Sequence, residues 1–257
     1  MEFITIKREN AVACIEMNRP PANALAQALL KELAQAFGQL ENDPETRVVL
    51  LYGKGRFFSA GADIKEFVQL RESGGSDALA VSGQELFEKV EAFPKPVIAA
   101  IHGAALGGGL ELAMACHIRL VTENAKLGLP ELSLGLVPGF AGTQRLPRYV
   151  GRGKAFEMLW TSEPLTGTEA VQQGLANHAY KEEELLPKAK ALAEKIAKKS
   201  PLALKASIEL VNYSKTNDYE KGLEQESARF LELFGSKDAE EGIKAFIEKR
   251  EPRFTGA

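Results

Sequence analysis

Two acids in this chain, Glu111 and Glu131, stand in surroundings that point to chemistry. Glu111 ends the run His102-Gly103-Ala104-Ala105-Leu106-Gly107-Gly108-Gly109-Leu110-Glu111, a strand-to-helix turn. Its glycines expose successive N–H groups at a helix N-terminus, a setting that favours developing negative charge. Glu131 is the single acid in Gly128-Leu129-Pro130-Glu131-Leu132-Ser133-Leu134-Gly135-Leu136-Val137-Pro138-Gly139. Partial burial in such an apolar, Pro/Gly-punctuated loop raises a carboxyl pKa and suits the group to hold and deliver a proton near neutral pH. A third segment, Phe57-Phe58-Ser59-Ala60-Gly61-Ala62-Asp63-Ile64-Lys65, is small-residue-rich, so a ligand can approach its backbone. Asp63 can cap a following helix and leave the Ala62 N–H as a donor. Each acid alone also fits a plain role, Glu111 as a partner of its helix dipole and Glu131 as an exposed loop acid. Together, two donor-bearing turns and two acids fit one reaction class, in which a carbonyl is polarised to an enolate while protons move beside it. Each donor to such an oxyanion is worth roughly 3–4 kcal/mol.

The elements that must position these groups follow from periodicity. Residues 3–8 and 11–17 read as strands joined at Glu9-Asn10. Leu25, Leu29, Leu33, Phe37 and Leu40 recur at helical spacing, Asn42-Asp43-Pro44 stops that helix, and Val48-Val49-Leu50-Leu51 is a strand. A helix beginning near Asp63, another over roughly 78–92, a buried strand at Pro96–Ile101, a helix over about 109–116 and a strand at Ile118–Val121 follow. Ser73-Gly74-Gly75-Ser76-Asp77 reads as a plain surface connection between two helices. This alternation predicts an α/β protein with largely parallel pairing. From about residue 181 the chain turns amphipathic and nearly strand-free, with Leu185, Ala189, Leu192 and Ile196 on one helix face; three or four helices fill the remainder and pack on the core or on another subunit.

Bulk properties exclude several classes. At 257 residues, 45% hydrophobic and 26% charged, the chain has the composition of a folded globular protein with one main core and a smaller appended unit. A formal charge of −3 offers no broad attraction for a polyanion, so nucleic acid is not an expected partner. Cys14 and Cys116 lack the spacing of a zinc site and read as reduced core thiols of a cytoplasmic protein. The N-terminus lacks the pattern of an export signal, and apolar stretches such as Val97 to Ile101 stop far short of the roughly 20 residues a membrane span needs. Neither Gly-x-Gly-x-x-Gly nor a P-loop occurs, and no metal or redox cofactor is expected.

Three runs, Phe58-Ser59-Ala60-Gly61-Ala62-Asp63-Ile64-Lys65, Gly103 to Glu111, and Pro130-Glu131 through Gly142-Thr143-Gln144-Arg145-Leu146, together resemble the enoyl-CoA hydratase (crotonase) family. The resemblance extends from Asn18-Arg19-Pro20 to Phe246-Ile247-Glu248-Lys249-Arg250. It implies a spiral of ββα units over residues 1–195 that carries an acyl-CoA site, and a C-terminal helical trimerisation region over 196–257, with homo-oligomers that are trimers or dimers of trimers. It also implies roles: Ala62 and Gly108 as oxyanion donors, Glu111 and Glu131 as the two carboxylates of a hydratase, and Gly139 as the amide that fixes the attacking water. Around coenzyme A it places Arg56 and Lys65 near nucleotide and pyrophosphate, Asp63 beside them, and Ala60 and Ile64 on the adenine side. Phe246 and Lys249 would reach a neighbouring subunit's CoA. The substrate implied is a trans-2-enoyl-CoA and the product a 3-hydroxyacyl-CoA, the CoA thioester being substrate rather than cofactor.

Some positions depart from the family pattern. Pro21 stands where many relatives carry a basic residue that touches CoA, Leu129 replaces a polar residue before Pro130, and Phe140-Ala141 replaces a smaller pair near the water site. Chain-length preference is therefore not carried over. The rival within the family is an enoyl-CoA isomerase, which works chiefly with the Glu131 position; Glu111 argues for hydration. A hydrolase of the broader fold lacks its Gly-x-Ser-x-Gly elbow, and His102, His117 and His178 read as structural. An RNA-binding relative is the reading from another class, and the acidic balance weighs against it.

Overall fold

The computed structural model describes residues 1–66, 76–216 and 218–257. Strands β1 (Ile4–Glu9) and β2 (Val12–Met17) form an antiparallel hairpin in which Glu9 pairs with Val12. Its turn is Asn10-Ala11, one residue later than expected, with φ of 50° and 63°. Two successive positive φ values give the turn whose twist matches the flanking strands. From β2 the sheet continues in parallel through β3 (Val48–Gly53), β4 (Val97–Ile101), β6 (Ile118–Thr122) and β9 (His178–Tyr180), in the order β1-β2-β3-β4-β6-β9. A second, smaller sheet joins β5 (Ala104–Leu106), β7 (Lys126–Gly128) and β8 (Leu165–Thr166).

Alternation along each strand divides the core between the two faces of the large sheet. Ala13, Ile15 and Met17 of β2 point to one side, where α1 (Gln27–Glu41) buries Leu29, Leu33, Phe37 and Leu40 and where α2 (Ser76–Glu91) and α3 (Gly108–Ala115) also pack. Val12 and Cys14 point to the other, against Leu185, Ala189, Ala193 and Ala197 of α6 (Glu182–Ala197). The remaining helices are α4 (Gly142–Thr161), α5 (Gly167–Gln172), α7 (Pro201–Tyr213), α8 (Tyr219–Phe234) and α9 (Lys237–Glu248). Among the described residues, no helix is long and apolar enough to cross a membrane.

Two expectations need correction. Leu25 does not belong to the helical stripe: it is extended, bridges Ala62 in parallel and donates its N–H to Gly61 O at 2.7 Å. Its apolar side chain is buried either way, so spacing alone did not separate the two outcomes. Residues 64–66 are helical as expected after Asp63, and the continuation of that helix lies outside the described residues. Of the expected connection at 73–77, residues 73–75 also lie outside them, whereas Ser76 and Asp77 open α2. Serine and aspartate favour helix starts as much as loops.

The loop before α1 is tied to the segment that precedes Ala62 by one buried side chain. Asn23 takes a left-handed φ of 51°; its Oδ1 accepts Arg19 N–H at 2.8 Å, and its Nδ2 donates to Lys54 O at 3.0 Å and Phe57 O at 2.8 Å. Its carbonyl accepts the Ser59 hydroxyl at 2.8 Å. Asn23→Ala strands buried partners and places alanine where asparagine is better tolerated, so the variant is expected to lose about 3 kcal/mol. Urea unfolding measures this, and an unchanged midpoint would show that the loop is held by other contacts.

Candidate active site

Three extended segments run in parallel and in register at the site. Ser59 bridges Ala105, and Ala105 pairs with Leu127 across β5 and β7. The bonds are Ser59 N to Ala104 O at 3.1 Å, Leu106 N to Ser59 O at 3.1 Å and Gly107 N to Gly128 O at 2.9 Å. Ala62 stands three residues past Ser59, and Gly108 three past Ala105, and both line the same cavity. Gly61 makes the close approach possible: at φ +99°, a Cβ there would lie 2.8 Å from Leu106 O and 3.6 Å from Gly108 N. Gly108 is the first residue of α3, where the helix offers its N–H no internal acceptor. Among the described residues, the Ala62 N–H has no backbone acceptor.

The same three segments carry the acids. Glu111 lies in the first turn of α3 and is 1% exposed. Its Oε1 accepts N–H bonds from Phe140 at 2.8 Å and Gly142 at 2.6 Å. Glu131 lies on the 3-10 turn Pro130–Leu134 just past β7. Its Oε1 approaches Gly107, whose φ is +51° and where a Cβ would lie 2.8 Å from that oxygen; its Oε2 is buried without a hydrogen-bond partner among the described residues. Burial pushes Glu111 up to about 7, with the nearby charge of Glu131 adding to the rise and the Phe140 and Gly142 amides and Arg145 opposing it. Burial also raises Glu131.

Ala60, Ala62, Ile64, Gly108, Glu111, Glu131 and Gly139 all line one cavity of about 280 Å³, closed by Phe140 and rimmed by Leu134, Leu136 and Val137. Two backbone amides and two carboxyls whose pKa values are raised thus share one largely apolar space. Larger clefts exist, such as one of about 780 Å³ between Lys237 and Arg253, but it is open and lined by charged residues. The expected CoA cations do not line this cavity. Arg56 is exposed and stacks over the Phe57 ring at 4.8 Å, and Lys65 is exposed beside Ile64. Asp63 accepts the Lys65 N–H at 3.1 Å and pairs with Arg19 at 2.7 Å, which holds its carboxyl below the ordinary range. Phe246 and Lys249, at the end of α9, do not line the cavity of their own chain. His117 accepts the Val97 N–H at 2.8 Å and His102 reaches Gly55 O at 2.8 Å, both structural contacts.

Sequence reasoning missed the groups that hold Glu111. Phe140 stood out only as a substitution, yet its amide is one of the carboxylate's two donors and its ring a wall of the cavity. Arg145 lay in a quoted run without a role. Arg148 and Arg152 follow it at helical spacing, so residue type and spacing gave no signal that separated Arg145 from them.

The family model described as enoyl-CoA hydratase/isomerase matches residues 7–257. A Bacillus subtilis protein named probable enoyl-CoA hydratase is 55% identical over the full length of both chains. A short-chain-enoyl-CoA hydratase from Clostridium acetobutylicum is 41% identical, covering 96% of this chain and 95% of its own. The crystal structure of an enoyl-CoA hydratase from Bacillus anthracis superposes with a TM-score of 0.95 at 40% identity, covering 99% of this chain and 100% of that one.

Glu111 makes stability depend on pH. Its carboxyl titrates near 4.5 when unperturbed and at about 7 in the fold, so the folded state binds the proton more tightly. The contribution is fully present below the lower value and lost as pH rises through the higher, about 3 kcal/mol in all. Glu111→Gln keeps the acceptor for both amides without the charge. It is expected to be more stable than the parent at pH 8 and to show a smaller loss between pH 5 and 8 in urea titrations; equal pH dependence would place the burden on another group.

Proposed function

This chain belongs to the enoyl-CoA hydratase/isomerase family, and on that premise we propose how its own residues carry out the reaction. It is an enoyl-CoA hydratase, adding water reversibly to trans-2-enoyl-CoA to give 3-hydroxyacyl-CoA. The observation that carries the mechanism is one cavity lined at once by the buried Glu111, the half-buried Glu131 and the backbone of Ala62 and Gly108. The thioester oxygen lies between the Ala62 and Gly108 N–H groups, which stabilise the charge it gains in the transition state. Glu111 takes a proton from water as the water oxygen bonds to C3. The C=C π electrons move toward the thioester oxygen, and the enolate then takes a proton at C2 from Glu131. The amides on Glu111 favour its anion, while the partnerless Oε2 of Glu131 favours its protonated form. Gly139, on the cavity wall, orients the water. The chemistry balances without a metal or redox group.

Arg56, Lys65, Asp63, Ala60 and Ile64 form the entrance on which coenzyme A lies in this scheme. Phe230, Leu231 and Phe234 of α8 and Ile243, Phe246 and Ile247 of α9 are all at least half exposed, which supports packing against further copies of the chain, as a trimer or a dimer of trimers, with Phe246 and Lys249 meeting a neighbour's CoA. Two buried, unpaired thiols agree with a cytoplasmic setting.

The acyl chain is short in this reading. Phe140 packs edge-on against Phe87 with centroids 5.3 Å apart and lies 3.1 Å from where a Cβ on Gly108 would be, so its ring limits the cavity beside the oxyanion donors. Phe140→Ala is expected to raise the kcat/KM of an eight-carbon enoyl-CoA relative to a four-carbon one by about tenfold or more. An unchanged ratio would remove Phe140 from the specificity determinants.

Hydration of trans-2-butenoyl-CoA by the parent, with Glu111→Gln and Glu131→Gln each losing about 10²- to 10⁴-fold in kcat, is the test of the mechanism. The parent's kcat/KM is expected to fall as pH drops below about 7, where Glu111 takes up its proton. A fully active Glu111→Gln sinks the two-carboxylate scheme, and a parent that only shifts double bonds sinks the assignment as a hydratase.

A further inference from the structure

We propose that Arg145 and Glu91 are positioning residues for Glu111, acting through the peptide that joins Phe140 to Ala141. The inference rests on the role given to Glu111 as the base that activates water. Both N–H groups that hold Glu111 come from one short stretch, Phe140 and Gly142, at 2.8 and 2.6 Å. Between them Ala141 takes a left-handed conformation, φ 70° and ψ 23°, which needs external support in a residue with a Cβ. That support is the buried guanidinium of Arg145, 1% exposed, whose Nη1 donates to Phe140 O at 2.9 Å. The carbonyl that Arg145 fixes thus lies between the two donors that fix the carboxylate.

Arg145 is in turn held by α2. Its Nε donates to Glu91 Oε2 at 2.9 Å and its Nη2 to Glu88 Oε1 at 2.5 Å. The other oxygen of Glu91 meets Arg148 at 3.2 Å and Lys215 at 2.9 Å, and its backbone carbonyl accepts from Asn212 at 2.6 Å. One buried carboxylate therefore links α2, α4 and the end of α7 to the loop that sets Glu111. A buried ion pair of this kind is a weak source of stability against an apolar replacement, so fold stability alone is a poor account of it. A guanidinium is the side chain whose planar fork reaches a carbonyl and two carboxylates at once. The charged groups around Glu111 are Glu131 from the 3-10 turn and Arg145 from α4; behind Arg145 stand Glu88, Glu91, Arg148, Lys215 and the ring of His117, which contacts Glu91 O.

Arg145→Lys, Glu91→Gln and Glu88→Gln test the assignment, the last at a half-exposed carboxylate where folding is tolerant. Steady-state kinetics on trans-2-butenoyl-CoA should show Arg145→Lys losing about 10- to 100-fold in kcat with KM within about threefold, because a displaced catalytic group costs rate more than binding. Glu91→Gln should lose less and Glu88→Gln least. Loss of the amide donors raises the Glu111 pKa, so the acid limb of the rate profile should move to higher pH in the same order. Carbon-13 NMR titration of the Glu111 carboxyl, assigned by comparison with Glu111→Gln, reads this shift without turnover. A parent that hydrates nothing defeats the functional reading and leaves the titration to decide the positioning role. Folded variants whose Glu111 titrates as in the parent overturn the proposal; if the first two do not fold, an unmoved titration in Glu88→Gln does so.

Discussion

Parallel pairing of Ser59 with Ala105, and of Ala105 with Leu127, is the constraint on which the site depends. Hydrogen bonds between adjacent extended backbones fix position along the chain to a single residue, and a slip by one would send every side chain to the opposite face. The residues three beyond Ser59 and Ala105, Ala62 and Gly108, line one cavity, and what each offers there is a backbone N–H without an internal backbone acceptor among the described residues. Backbone donors placed this way need no reorganisation when charge develops, which is where an oxyanion site gains its effect. The glycines at 61 and 107 follow from the same closeness, since at each the added Cβ would meet an oxygen of the neighbouring segment at 2.8 Å.

The carboxyls are held under the opposite condition. Folding buries Glu111 and half-buries Glu131 beside one apolar space against the preference of their charges for water, and the charge of Glu131 makes the ionisation of Glu111 harder still. The fold compensates unequally: Glu111 receives two backbone donors, whereas the Oε2 of Glu131 receives none among the described residues. In the proposed scheme this asymmetry gives two like groups different tasks, and the stability given up at neutral pH is the counterpart of that chemistry. Behind the asymmetry stands a polar cluster reaching from α2 to the end of α7, so that helices remote in sequence converge on one loop.

Much of the fold was legible because it rests on local periodicity. The β1–β2 hairpin, the stripe of α1, the strands at Val48 and Val97 and the face of α6 follow from alternation or helical spacing, signals that survive without knowledge of the rest of the chain. Leu25 was misread because a buried leucine at the edge of a helical stripe looks the same whether the backbone is helical or bridging. The turn at Asn10-Ala11 was displaced by one residue because asparagine and alanine do not announce a left-handed pair as Asn-Gly would. Within the site, both glutamates, Ala62, Gly108 and Gly139 were singled out from residue type and local setting together with the family resemblance, and the fold lines one cavity with all five.

By itself the sequence determined which groups are present: two acids in apolar turns, glycines where the chain must pass close to a neighbouring segment, helical stripes that must be covered, and a slightly acidic balance of charge. Tertiary structure alone decided their relations. Strand pairing brought Ala62 and Gly108 to one cavity, burial raised the proton affinity of Glu111, and a guanidinium at position 145 came to hold the loop that holds the carboxylate. These depend on distances between segments far apart in the chain and on the dielectric around them, quantities that exist only after the chain has packed. Residue types limit what such contacts can be; packing selects which of them form.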